Sequence, residues 1–222
     1  MKRDAAAAAA IGGLAGATWA AGFREYMSAL SGRDSEVTWY GTFAGVLAPA
    51  AAVGALFGWA EHRRRTGSNL PYRRAIAAAP VVIGVLPLTK RGAIETLRSN
   101  GQGSAAGAVA LAAIGGGYAL AGRGPGWTRI LTGVLAAAVA AGTAASVPTI
   151  GGRRLSLATP RGALTAVLGA GSVLTFALAA SVPFRGWEAR DVRDARDVRD
   201  AGGMHDDRDV RDAHNERDDS AS

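Results

Sequence analysis

The chain has 222 residues, of which 49% are hydrophobic and only 6% aromatic, with 31 Gly and no Cys. The missing cysteine excludes disulfides, thiolate nucleophiles, iron–sulfur clusters and Cys-ligated zinc together. The net charge of +7 is unevenly spread: residues 185–222 hold 8 Arg and 12 acids, while the first 184 are apolar stretches separated by short basic loops. That pattern excludes an ordinary soluble globule, whose helices need polar faces.

A window of about 19 residues finds apolar segments at 5–22, 37–60, 75–89, 105–122, 130–147 and 164–184. None carries an ionisable residue in its middle, and ~20 helical residues match a ~30 Å hydrocarbon core. The expectation is an all-α polytopic transmembrane helix bundle over 1–184, of about six helices, with five crossings as the alternative. A multi-pass protein of the cytoplasmic membrane, with the lipid bilayer as its solvent, is the corresponding localisation.

Segment one follows Met1-Lys2-Arg3 and is Ala-rich, as a signal peptide would be. Asp4 and a poor Thr18-Trp19-Ala20 cleavage site favour a retained anchor instead. Phe23, Tyr26, Met27 and Leu30 then recur at helical spacing, so 23–32 either lies at the interface or prolongs segment one, with Gly32 as the stop. In segment two, Trp39 and Tyr40 at the start and Trp59 at the end place aromatics at both lipid–water boundaries. Asp34 and Ser35 are its candidate N-caps, and Pro49 is expected to kink it. Segment three is short and carries Pro80 and Pro87. If it dips in and returns, basic residues accumulate on one side, so the charge rule favours five crossings. A match of GVLAPAAAVG at 45–54 with GVLAAAVAAG at 133–142 favours a three-plus-three bundle instead. Six helices is the reading taken.

Residues 185–222 repeat Arg-Asp-Val-Arg-Asp-Ala. This tail cannot bury enough apolar surface to order itself and reads as disordered, with docking to a protein partner as the sharper alternative.

Chemistry is thinly represented. Glu61 and His62 form a candidate interfacial acid–base pair, and the basic residues Arg63, Arg64, Arg65, Arg73 and Arg74 form a juxtamembrane cluster suited to topology anchoring or lipid-headgroup contact. No catalytic residue, cofactor, cofactor-binding residue or metal ligand is assigned, because no nucleophile elbow, phosphate loop or ligand cluster is legible. A pI of 10.7 without aromatic-rich loops does not make a nucleic-acid binder. Intramembrane ionisable groups are absent, which argues against an ion-coupled pump. The hydroxyls of Thr38, Thr42, Thr143, Ser146, Ser172 and Thr175 are expected to bond their own helix. Small-residue pairs Gly12/Gly16, Gly41/Gly45, Gly54/Gly58 and Gly103/Gly107 favour close helix packing or homo-oligomers.

Four stretches carry a resemblance: Phe23-Arg24-Glu25-Tyr26-Met27 through Gly32, Val37-Thr38-Trp39, GALFGWAEHRRRTG at 54–67 and GGYALAGRGPGWTRI at 116–130. In them the chain resembles a family of uncharacterised multi-pass integral membrane proteins of high-GC actinobacteria. That resemblance implies the membrane architecture and supplies no activity; the Arg/Asp tail departs from it. The functional expectation is a non-enzymatic membrane protein acting through helix packing, lipid contact or a protein partner. A small permease for a neutral or weakly polar solute and, after it, an interfacial lipid-modifying enzyme using Glu61 and His62 are the alternatives.

Overall fold

The computed structural model describes residues 2–32, 35–86 and 104–185. Asp34, the end of segment three, the loop at 92–102 and the tail from residue 186 lie outside the described residues. Among the described residues the architecture is all-helical: α1 (Lys2–Ser31), a π-helical stretch (Trp39–Leu47) leading into α2 (Ala48–Arg65), α3 (Arg73–Ala78), α4 (Pro80–Val85), α5 (Ser104–Leu120), α6 (Gly126–Gly151) and α7 (Pro160–Ala180). Four stretches are long and apolar enough to cross a membrane: Arg3–Ser31, Trp39–Arg65, Gly126–Leu155 and Pro160–Phe184. Segments three and four give shorter helices.

Segment one and the stretch after it form one helix. α1 runs 30 residues, and Gly32 ends it with φ +64°, the left-handed conformation that Gly adopts without cost. The amphipathic face is not interfacial: Phe23, Tyr26 and Ala29 are buried against the rest of the bundle. Arg154, from the turn after α6, donates to the carbonyl oxygens of Ala29 (2.8 Å) and Leu30 (3.3 Å), so a cation satisfies orphan acceptors at the negative end of the helix.

The start of segment two corrects the expected cap. Thr38, not Asp34 or Ser35, stands at the N-cap; its hydroxyl accepts from the Gly41 N–H (3.0 Å). Pro49 does not simply kink an α-helix either. It sits in the first turn of α2, just where the π register ends, and the Ala48 N–H still bonds the Phe43 carbonyl, five residues back. Pro lacks the N–H that an α-ladder needs and its ring clashes with the carbonyl four residues earlier. A wider preceding turn absorbs both problems.

Glycines bring α1 and α2 into backbone contact. A Cβ on Gly12 would strike the Gly54 carbonyl oxygen, one on Gly16 the Ala50 carbonyl, and one on Gly58 the Ala8 carbonyl. The expected pairs Gly12/Gly16 and Gly54/Gly58 therefore meet each other, antiparallel, within one chain. Among the described residues Gly41 abuts only its own cap, Thr38, and Gly107 has no neighbour within 4 Å; Gly103 lies outside them.

These contacts order the bundle. Ala8 lies by Gly58, and Tyr26 by Gly169, so α2 and α7 both run opposite to α1. Gly116 meets Ala177 and Gly117 meets Ala180, so α5 runs with α7. Tyr26 bonds Thr143 and Ser146 of α6, which runs with α1. One end of the bundle thus collects the start of α1, the arginines after α2, and the last residues of α5 and α7; the start of α5 stands at the other end. Arg65 and Ser104 therefore stand at opposite ends of the bundle. α7 is the most buried of the four long spans, with Thr165, Gly169, Ser172, Val173, Phe176, Ala177 and Ala180 inward at 3–4-residue spacing. Outward, Ile11, Leu14, Ile130, Leu131, Val134, Leu135, Leu164 and Val167 are all exposed. So much exposed aliphatic surface suits hydrocarbon, not water.

Candidate functional site

α1 and α2 approach through glycine, so their seam has almost no side chains to fill it. Along this seam lies a cleft of about 230 Å³, floored by Gly12, Gly16, Gly54 and Gly58 and walled by Trp19, Phe57, Ile83 of α4 and Phe176 of α7. Apolar cavities of ~150 Å³ stay dry and accept apolar molecules. The cleft extends along α2 from Ala50 to Glu61, which is ~16 Å of helix at ~1.5 Å per residue. Trp19 is held in its wall by three contacts: its indole N–H donates to the Ser172 carbonyl (2.8 Å), and its ring stacks on Phe23 (5.6 Å) and leans on Phe176 (4.5 Å).

Glu61 is the ionisable residue of that wall. Its carboxylate accepts from Arg64 Nε and Nη2, each at 2.7 Å, and from Arg65 Nε at 2.7 Å. The i,i+3 and i,i+4 spacings on one helix bring these groups together, and the two-pronged Arg64 contact fixes the carboxylate's orientation. A carboxylate so engaged is poorly disposed to take a proton from a substrate. His62 is half-buried on the same turn, and its carbonyl accepts from the Thr66 N–H (2.9 Å). Arg63 turns elsewhere: its Nε donates to the Asn69 carbonyl (2.8 Å), and its guanidinium lies 5.2 Å from the Trp59 ring centroid, a cation–π distance. Arg73 and Arg74 are exposed at the start of α3. α3 packs on the Val182–Phe184 turn, whose Val182 also lines the cleft. The structure thus brings the predicted cluster to one end of the cleft but splits its jobs.

At the opposite end of the bundle, a polar recess of about 460 Å³ is bordered by Arg24, Ser31, Ser35, Glu36, Thr38 and Thr42. Arg24 donates to the Ser35 hydroxyl (2.8 Å) and the Glu36 carbonyl (2.7 Å), closing the connection between α1 and segment two. Deeper in the bundle, Thr143 donates to the Ala140 carbonyl (2.7 Å), Ser146 to the Thr143 carbonyl (2.8 Å) and Thr165 to the Arg161 carbonyl (2.8 Å). The Thr143 and Ser146 bonds to their own helix are the ones expected of bilayer segments, although the Ser146 hydroxyl also meets Tyr26 of α1 (3.0 Å). Among the described residues no group of three or more His, Asp or Glu is placed to hold a metal ion.

Sequence reasoning located the arginine cluster and the glycine pairs, and missed the cleft they border. One signal for it was Trp19: an indole inside an apolar segment needs an acceptor within the protein for its N–H. The chain matches no protein-family model, no curated protein and no solved structure.

Proposed function

We propose that the protein is a non-enzymatic integral membrane protein whose helix bundle acts by lipid contact, holding a hydrocarbon chain in the cleft between α1, α2, α4 and α7. The observation that carries this reading is the character of the cleft. It is apolar along its length, it is walled by several helices, and its one ionisable side chain is tied to neighbouring arginines. A permease for a polar solute needs polar groups converging on a central path; in this cleft the lining is Gly, Ala, Val, Ile and aromatic rings, with Thr175 and Glu61 as its polar members. The bilayer and its lipids are the proposed partners, and the likeness to actinobacterial multi-pass proteins is in keeping with this.

Filling the cleft tests the reading. Ala179→Phe and Ile83→Trp each place a ring in the space and are expected to reduce the lipid that stays with the detergent-purified protein, counted by native mass spectrometry. Unchanged lipid retention in both would defeat the proposal. The enzyme reading is tested separately: His62→Ala is expected to leave membrane phospholipid composition unchanged, and a changed headgroup profile would revive it.

A further inference from the structure

The cleft and the arginines are neighbours, and their chemistries match the two halves of one molecule. Glu61 ends the cleft, and Arg64 and Arg65 sit on its carboxylate at 2.7 Å. Arg65 nevertheless leaves 74% of its side chain exposed, so its guanidinium presents further N–H donors outward. Arg73 and Arg74 open the helix that packs on the Val182–Phe184 turn at the same end. Arg63 adds a fifth guanidinium beside Trp59. Five arginines stand at that end with two carboxylates, Glu61 and Asp4, so the end carries a positive excess, while the cleft itself is apolar.

We infer that the occupant is an anionic glycerophospholipid from the surrounding leaflet, with one acyl chain along the glycine-floored seam and its phosphate among Arg64, Arg65, Arg73 and Arg74. This inference rests on the lipid-contact reading and adds the headgroup class. Arginine's planar fork suits phosphate oxygens, and net-negative lipids are drawn to juxtamembrane basic clusters where zwitterionic ones are not. Glu61 has a positioning role in this arrangement. By accepting from Arg64 and Arg65 it holds their guanidinium groups at the mouth rather than letting them extend into water.

The test uses the full chain in nanodiscs of equal phosphatidylglycerol and phosphatidylcholine, followed by release and native mass spectrometry of the retained lipids. The wild type is expected to keep phosphatidylglycerol in about tenfold preference. Arg65→Gln and Arg74→Gln, made singly, should each lower that preference about fivefold, to about twofold, with total lipid retained. Ala179→Phe, with Ile83→Trp as a second variant should the first not fold, should abolish the preference although every arginine remains. Lipid retained without headgroup preference would overturn the inference while leaving the cleft reading intact. A preference that survives both cleft-filling variants would place the anionic lipid outside the cleft and also overturn it. No retained lipid at all, with the cleft closed by residues 87–103 or by a second copy, would overturn both readings.

Discussion

Tyr26 ties three helices with one side chain. Its oxygen is 3.0 Å from the Thr143 carbonyl and 3.0 Å from the Ser146 hydroxyl, and its ring lies against Gly169, which has no side chain to obstruct it. Tyr26→Phe keeps the ring and removes the bonds, so a loss of ~0.5–1.5 kcal/mol is expected, read from reversible unfolding in mixed micelles. Arg154 is a comparable case at a helix end. Arg154→Ala leaves the Ala29 and Leu30 carbonyls without their cation and is expected to destabilise by ~1 kcal/mol, in the same assay. Residues of this kind also explain why counting positive charges did not settle topology. Arg24 and Arg154 are counted as loop cations, yet both spend their N–H groups on carbonyl and hydroxyl oxygens of this chain, so they report on the fold as much as on the membrane side.

At the scale of elements, the α1–α2 pair rests on absent side chains. Without a hydrophobic driving force between helices in lipid, close van der Waals approach has to supply the association. Gly54→Ala and Gly58→Ala would each put a methyl group into a carbonyl of α1. Each is expected to force the helices apart and lower the melting temperature in detergent, whereas Gly22→Ala and Gly142→Ala, with nothing within 4 Å, should be tolerated. Equal behaviour of the two sets would contradict the packing described. The same comparison bears on the repeat between 45–54 and 133–142. The two segments lie in helices that run in opposite directions, as an inverted repeat requires. Yet Gly54 is locked against Gly12, while its counterpart Gly142 faces open space, and only the first copy passes through a π-to-α change. The letters match and the packing does not.

For the whole molecule, the directions of the helices make a prediction about sides. The chain has no Cys, so single cysteines report without background. Ser68→Cys and Gly124→Cys, at the arginine-rich end, are expected to react with a membrane-impermeant maleimide from one side, and Ser35→Cys and Ser156→Cys from the other. Ser104→Cys, at the start of α5, should label with Ser35→Cys, since Arg65 and Ser104 stand at opposite ends of the bundle. Labelling together with Ser68 would restore the five-crossing arrangement that charge counting favours.

Composition and period alone determined that this chain is helical and apolar enough to cross a membrane, because ion-free runs of about 20 residues have few other outcomes. They also marked the helix stop at Gly32 and the glycine pairs, which are local features of spacing and backbone freedom. Tertiary structure decided what those features are for. Gly12 and Gly16 become the floor of a cleft only because Gly54 and Gly58 lie opposite them, and Glu61 joins its wall only because α1, α4 and α7 close around α2. The direction of α5 is read from Gly116 and Gly117 meeting Ala177 and Ala180. Contacts between segments some sixty residues apart follow from how small surfaces fit together, which no periodicity within a single segment records.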